Sequence, residues 1–136
     1  MNHTVADRPA TAAPTGRTPW QVRALAVVVT LLALVTSYGA IYFSFFFEDP
    51  DPGVGTWVFV TVFLSLNVTA AAAVRSLVRG TEAARRVLLG YSVLGILWCV
   101  AKLVFWQETE SLVFGALNVV CLGLLVAART RSHTTR

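Results

Sequence analysis

Four long apolar runs separated by short polar links dominate the chain. The first extends from Val22 to Phe47 and is broken only by Arg23 near its start. The second runs from Trp57 to Val78 with Arg75 in its last turn, the third from Val87 to Trp106 with Lys102 inside it, and the fourth from Leu112 to Ala128. Each is long enough for a helix to cross roughly 30 Å of hydrocarbon, and none alternates with a period of two as a membrane strand would. The pattern predicts an all-α, integral membrane four-helix bundle. Its helices cover about 22–47, 57–78, 87–106 and 112–128, within a transmembrane domain of residues 20–129. The first run is the longest and is expected to tilt or protrude.

The links are short. Glu48-Asp49-Pro50-Asp51-Pro52-Gly53 holds two prolines that end the first helix. Arg79-Gly80-Thr81-Glu82 offers Gly80 as a helix C-cap and Thr81 as an N-cap. Gln107-Glu108-Thr109-Glu110 joins the third run to the fourth. Links of this length make consecutive helices antiparallel neighbours. Residues 1–19, rich in Ala, Thr and Pro, read as a disordered tail, and residues 130–136 as a second, basic tail. The first apolar run is too long for a signal-peptide core and lacks a small-x-small cleavage site.

Composition agrees with the pattern. Of the 136 residues, 56% are hydrophobic and 13% charged, and the mean hydropathy is +0.67. Soluble domains carry about 25% charged residues, so a chain of this size could not cover so much apolar surface without lipid. The net charge of +4 does not point to nucleic acid, because the charges lie almost entirely outside the apolar runs and no basic cluster is interleaved with aromatics. The charges report orientation instead. Ten of the eleven Lys and Arg residues fall on one side: Arg8, Arg17, Arg23, Arg75, Arg79, Arg85, Arg86, Arg129, Arg131 and Arg136. Lys102 is alone on the other, with Glu48, Asp49, Asp51, Glu108 and Glu110. Under the positive-inside rule both termini are cytoplasmic, and a plasma (inner) membrane is expected. Aromatics crowd the opposite boundary, among them Tyr42, Phe45, Phe46, Trp57, Phe105 and Trp106, as an interfacial belt.

The second and fourth runs share a segment. Val62-Phe63-Leu64-Ser65-Leu66-Asn67-Val68 matches Val113-Phe114-Gly115-Ala116-Leu117-Asn118-Val119 at five of seven positions. The first and third runs both end in aromatics followed by acid, Phe45-Phe46-Phe47-Glu48 and Phe105-Trp106-Gln107-Glu108. Two copies of one hairpin would explain both likenesses as a parallel repeat about an axis along the membrane normal. A Leu- and Val-rich alphabet also generates such matches by chance.

The polar positions inside the runs are the candidate sites. Asn67 and Asn118 occupy the matched slot near the middle of their helices. A mid-membrane amide must face protein, either as interhelical glue or as a contact for a ligand at the repeat interface. The two amides are expected to approach each other or a shared cavity. Thr61, Ser65, Thr69 and Ala73 recur every fourth residue and form a small-residue stripe that allows close helix approach, to the rest of the bundle or to a second copy. Lys102 lies about 6 Å inside the boundary marked by Trp106, within snorkelling reach of the surface and of Glu108 and Glu110. Tyr91, Gly95, Trp98 and Lys102 share a helical face. Cys99 and Cys121 sit in apolar runs without metal or CxxC spacing and read as small buried hydrophobes.

No catalytic motif is present, and no Asp or Glu lies inside a run, although proton-coupled carriers usually need one. No enzyme activity, cofactor or metal is expected. The pattern favours a non-catalytic accessory, scaffold or partner-binding subunit of a membrane, whose partners are the lipid bilayer and either another membrane protein or a second copy of the chain. The alternative is a small oligomeric transporter or channel that uses Asn67, Asn118 and Lys102 along its path.

Overall fold

A computed structural model describes residues 18–47 and 53–134. The reading of residues 1–17 as a tail, the Glu48–Pro52 turn and the last two residues lie outside the described residues. Five α-helices follow in order: α1 (Trp20–Tyr42), α2 (Val54–Val78), α3 (Glu82–Trp106), α4 (Ser111–Val126) and α5 (Ala128–Thr134), with a π-helical turn (Phe43–Phe47) extending α1. Among the described residues there is no strand. The all-α bundle expected from the hydrophobic pattern is the fold.

The helices outrun the apolar stretches that mark them. α2 starts at Val54 and α3 at Glu82, because polar residues can continue a helix beyond the apolar slab. The α2–α3 turn is a Schellman motif. Gly80 adopts φ 84°, its N–H bonds to Leu77 O at 2.8 Å, and Thr81 N–H bonds to Ser76 O at 3.2 Å. Thr81 stands at the N-cap of α3 with extended backbone, but its side chain makes no capping bond. Gln107 ends α3 in the left-handed region at φ 54°. At Ala127 the backbone leaves the helical region with ψ 139°, which breaks α4 from α5. The stretch read as the end of the fourth run and a basic tail thus forms a seven-residue helix.

Three helices, Trp20–Phe46, Val54–Val78 and Glu82–Trp106, are long and apolar enough to cross a membrane. α4 is apolar but has only 16 residues, about 24 Å of helix. The protein is a small membrane protein on this ground.

The four long helices form a closed ring in which α1 packs on α2, α2 on α3, α3 on α4 and α4 on α1. The interfaces within the hairpins α1–α2 and α3–α4 are more extensive than the two between them, the arrangement a duplicated hairpin would give. The buried core is concentrated in the half of the bundle nearer the α2–α3 turn. Val22, Leu25, Val29 and Leu32 of α1 meet Ala70, Ala73, Val74 and Leu77 of α2, with Ala84 and Leu88 of α3 and Cys121 and Leu125 of α4. The outer surface is apolar: Leu34, Val35, Val58, Val62, Leu94, Leu97, Val113 and Val119 are all exposed. Such a surface is stable against lipid and not against water.

The chain's alternating direction collects Arg23, Arg75, Arg79, Arg85, Arg86 and Arg131 at the end of the bundle that holds the start of α1, the α2–α3 turn and α5. Lys102, Glu108 and Glu110 lie at the other end.

Candidate functional site

Asn67 is buried and bonded to two other helices. The Tyr91 hydroxyl of α3 donates to Asn67 Oδ1 at 2.7 Å, and Thr36 Oγ1 of α1 approaches the same oxygen at 3.3 Å. Thr36 spends its proton chiefly on its own helix, donating to Leu32 O at 2.6 Å, so Tyr91 is the stronger partner of the amide. The antiparallel register of α1 and α2 sets this meeting. Leu25, Val29, Leu32 and Thr36 recur at helical spacing on the inward stripe of α1, opposite Leu77, Val74, Ala70 and Asn67. Thr36 was not singled out in the sequence, although that spacing would have found it.

Asn118 is also buried, but its setting differs. Its Nδ2 donates to Phe114 O of its own helix at 2.8 Å, and its amide covers Gly95 of α3. A Cβ on Gly95 would stand 2.5 Å from Asn118 Oδ1 and 2.7 Å from Cγ. Gly95 is therefore the socket that admits the amide. Measured from the matched acids Glu48 and Glu108, Thr36 and Gly95 stand at the same depth to within one residue. The two matched asparagines therefore face corresponding points of their own hairpins.

No hydrogen bond joins the two amides, but α3 connects them. Asn67 bonds Tyr91, Asn118 covers Gly95, and these positions are one turn apart, about 6 Å along the axis. Ser92 lies between them, fully buried. Cys121, also fully buried, lies three residues along α4 from Asn118. All four long helices therefore contribute polar or thiol groups to one node: Thr36, Asn67, Tyr91 with Ser92, and Asn118 with Cys121. Asn67 Nδ2, Asn118 Oδ1 and Ser92 Oγ have no protein partner there.

The face shared by Tyr91, Gly95, Trp98 and Lys102 divides between neighbours. Tyr91 turns to Asn67, Gly95 to Asn118, and Trp98 to Phe59 of α2 and to Trp106, with ring centroids 5.9 and 6.4 Å away. Lys102 Nζ reaches Glu108 Oε2 at 2.6 Å, the pairing expected of a snorkelling lysine. Both side chains are partly exposed, so the pair stands apart from the node.

The small-residue stripe lies mostly on the outside. Thr61, Ser65 and Thr69 are exposed and only Ala73 is buried. Ser65 donates to Thr61 O and Thr69 to Ser65 O, each at 2.7 Å, so their hydroxyls are satisfied within α2. Two shallow surface depressions are open to the surroundings. One, of about 260 Å³, is lined by Val54, Trp57, Val58, Thr61 and Val62; the other, of about 330 Å³, by Ala26, Val27, Thr30 and Leu31. Neither is lined by Asn67, Asn118 or Lys102.

A second polar cluster lies at the arginine-rich end and involves α5, a helix that no apolar period along the chain announces. Glu82 accepts Arg85 at 2.7 and 2.9 Å, Arg86 at 3.5 Å, and the Thr134 hydroxyl of α5 at 2.8 Å. His133 Nε2 meets Val78 O at 3.2 Å, and Arg85 donates to Leu125 O at 3.4 Å. The cluster ties α5 to the α2–α3 turn. Among the described residues no group of His, Cys, Asp and Glu is arranged to hold a metal. No protein-family model matches the chain, and no curated protein or solved structure was found to resemble it.

Proposed function

We propose that this chain is a non-catalytic accessory or scaffold subunit of a plasma (inner) membrane, with both termini and its arginine-rich end in the cytoplasm. It acts by packing its outer helix surface against another membrane protein or a second copy of itself. The single observation that carries this reading is the division of its surfaces. The mid-bundle polar groups Asn67, Ser92 and Asn118 turn inward, with Asn67 bonded across helices, whereas Thr61, Ser65 and Thr69 of the α2 stripe and the open depression beside them face outward. Close approach of a neighbouring helix to small, internally satisfied hydroxyls is the packing mode that stabilises helix association in lipid.

In this reading α4 makes a fourth crossing beside the three longer spans. α4 runs beside α3 from Ser111, whose hydroxyl meets Cys99 O at 3.3 Å, to Leu125, whose carbonyl meets Arg85. The short α4 thus covers most of the length of α3, and the Glu108–Glu110 turn and α5 extend it at the two ends. The exposed arginines at one end suit the anionic lipid of a cytoplasmic leaflet, at about 1 kcal/mol each.

The test is site-specific photocrosslinking in native membranes, with the probe at Val62 or Ser65 on α2 or at Val119 on α4. A discrete protein adduct confined to the α2 positions, and lost on Thr69→Trp, is expected. Adducts to lipid alone at every position would refute the reading. So would solute or ion flux through the purified protein in vesicles that depends on Asn67 and Asn118.

A further inference from the structure

The node between the four helices leaves three polar atoms of deeply buried residues without a protein partner. Asn67 is 4% exposed and offers an unused N–H donor at Nδ2. Asn118 is 6% exposed and offers an unused acceptor at Oδ1. Ser92, 0% exposed, offers a hydroxyl that can do either. Unpaired buried polar groups are costly, so three on neighbouring helices around one turn of α3 call for a common partner. Their arrangement is local. Tyr91, Ser92 and Gly95 lie within one turn of α3, and the two amides bond or abut the outer two of these.

The chemistry of the three atoms selects the guest. A cation would meet the Asn67 N–H and find no carboxylate. An anion would meet the Asn118 carbonyl and find no basic side chain. A bare charge in this setting would also lose its hydration without compensation. The guest must be neutral, small, and able to donate and accept at once. Buried water fits, since it typically makes about three hydrogen bonds to otherwise unsatisfied buried groups.

We propose that the four-helix node is a built-in water site, in which internal water accepts from Asn67 Nδ2 and donates to Asn118 Oδ1, with Ser92 Oγ as its third partner. The water completes what Tyr91 and Thr36 begin and links Asn67 to Asn118 through solvent where no direct hydrogen bond joins the two amides. Gly95 belongs to this site, because the missing Cβ seats the Asn118 amide with its oxygen toward α3. The site stands whether or not the chain has a protein partner, so its test and the crosslinking test fail independently.

The sequence makes the test clean. The chain has three asparagines, Asn2, Asn67 and Asn118. The full chain, labelled with ¹³C and ¹⁵N in asparagine only and reconstituted in lipid bilayers, would be studied by solid-state NMR with magnetisation transferred from water protons. The expected result is build-up at Asn67 Nδ2 and Asn118 Cγ several-fold faster than at the backbone nitrogens of the same two residues, with Asn2 giving a third signal for comparison. Ser92→Ala should slow the transfer to Asn118 Cγ at least about two-fold and leave Asn2 unchanged. Build-up at the side chains no faster than at their backbones would overturn the proposal. A direct dipolar contact between Asn67 Nδ2 and Asn118 Cγ at hydrogen-bond range would also overturn it, because the amides would then satisfy each other in a dry node.

Discussion

The Tyr91 hydroxyl donates to Asn67 Oδ1 across 2.7 Å, and this bond joins the two hairpins in the middle of the bundle. Tyr91 reaches from α3, in the second hairpin, to α2, in the first. Tyr91→Phe keeps the ring and its packing and removes only the donor. It leaves the buried oxygen with Thr36, whose proton is already committed to Leu32 O. The expected loss is about 1 kcal/mol, the scale of interhelical hydrogen bonds in membranes. Reversible unfolding in mixed detergent micelles measures it. A Tyr91→Phe protein as stable as the parent would mean that the bond contributes nothing net.

Gly95 and Gly123 give opposite expectations for one substitution. A Cβ at Gly95 would drive into the Asn118 amide, with atoms at 2.5, 2.7 and 2.8 Å, whereas nothing lies within 4 Å of a Cβ at Gly123. Gly95→Ala must displace the amide or separate α3 from α4, which costs about 1–3 kcal/mol. Gly123→Ala should be neutral or slightly stabilising, because alanine narrows the unfolded chain's freedom without a clash. Adding Asn118→Ala to Gly95→Ala should recover part of the loss by emptying the socket. Thermal unfolding of the three variants decides whether the socket is real.

The bundle was legible in the sequence because lipid imposes a length and a composition on any helix that crosses it. The four runs at Val22, Trp57, Val87 and Leu112 needed no tertiary information. Helix boundaries were read short at Trp57 and Val87, since the apolar run reports the slab and not the helix. Asn67 and Asn118 were legible as polar groups that must face protein, and Lys102 as a group able to meet Glu108. Their partners were not legible. Whether Asn67 meets Tyr91 or Asn118 depends on the register between α2 and α3, and no local pattern encodes that register. The stripe of Thr61, Ser65 and Thr69 suits contact with a helix of the same bundle and contact with the outside equally well, and packing order alone turned it outward. α5 was missed because Ala128–Thr134 carries no apolar period, and its docking rests on Glu82, Val78 and Gly80 far away in sequence.

The ion pair of Lys102 with Glu108 is short but weak. At 2.6 Å its geometry is good, yet the two side chains are 35% and 47% exposed. Pairs of this kind contribute about 0–1 kcal/mol and weaken with salt. Glu108→Gln should shift unfolding by less than about 1 kcal/mol, and by less again at high ionic strength. A larger and salt-insensitive loss would show that Lys102 is held in a drier place than its exposure indicates.

Gly80 controls the dock of α5 in two ways. Its φ of 84° is one that residues with a Cβ rarely adopt, and a Cβ there would stand 2.9 Å from His133 O. Gly80→Ala therefore strains the turn and pushes α5 from its seat, with an expected cost of about 1–2 kcal/mol. Glu82→Gln acts on the same dock from the other side, by removing the charge that Arg85, Arg86 and the Thr134 hydroxyl converge on. The two variants should share one readout, faster tryptic cleavage after Arg131, with the four long helices still intact by circular dichroism. Thr134→Ala should reproduce the effect in weaker form, because it removes one bond and leaves the Glu82–Arg85 pair in place. If cleavage after Arg131 is as fast in the parent as in Gly80→Ala, α5 is not held against the turn in solution and the dock contributes nothing.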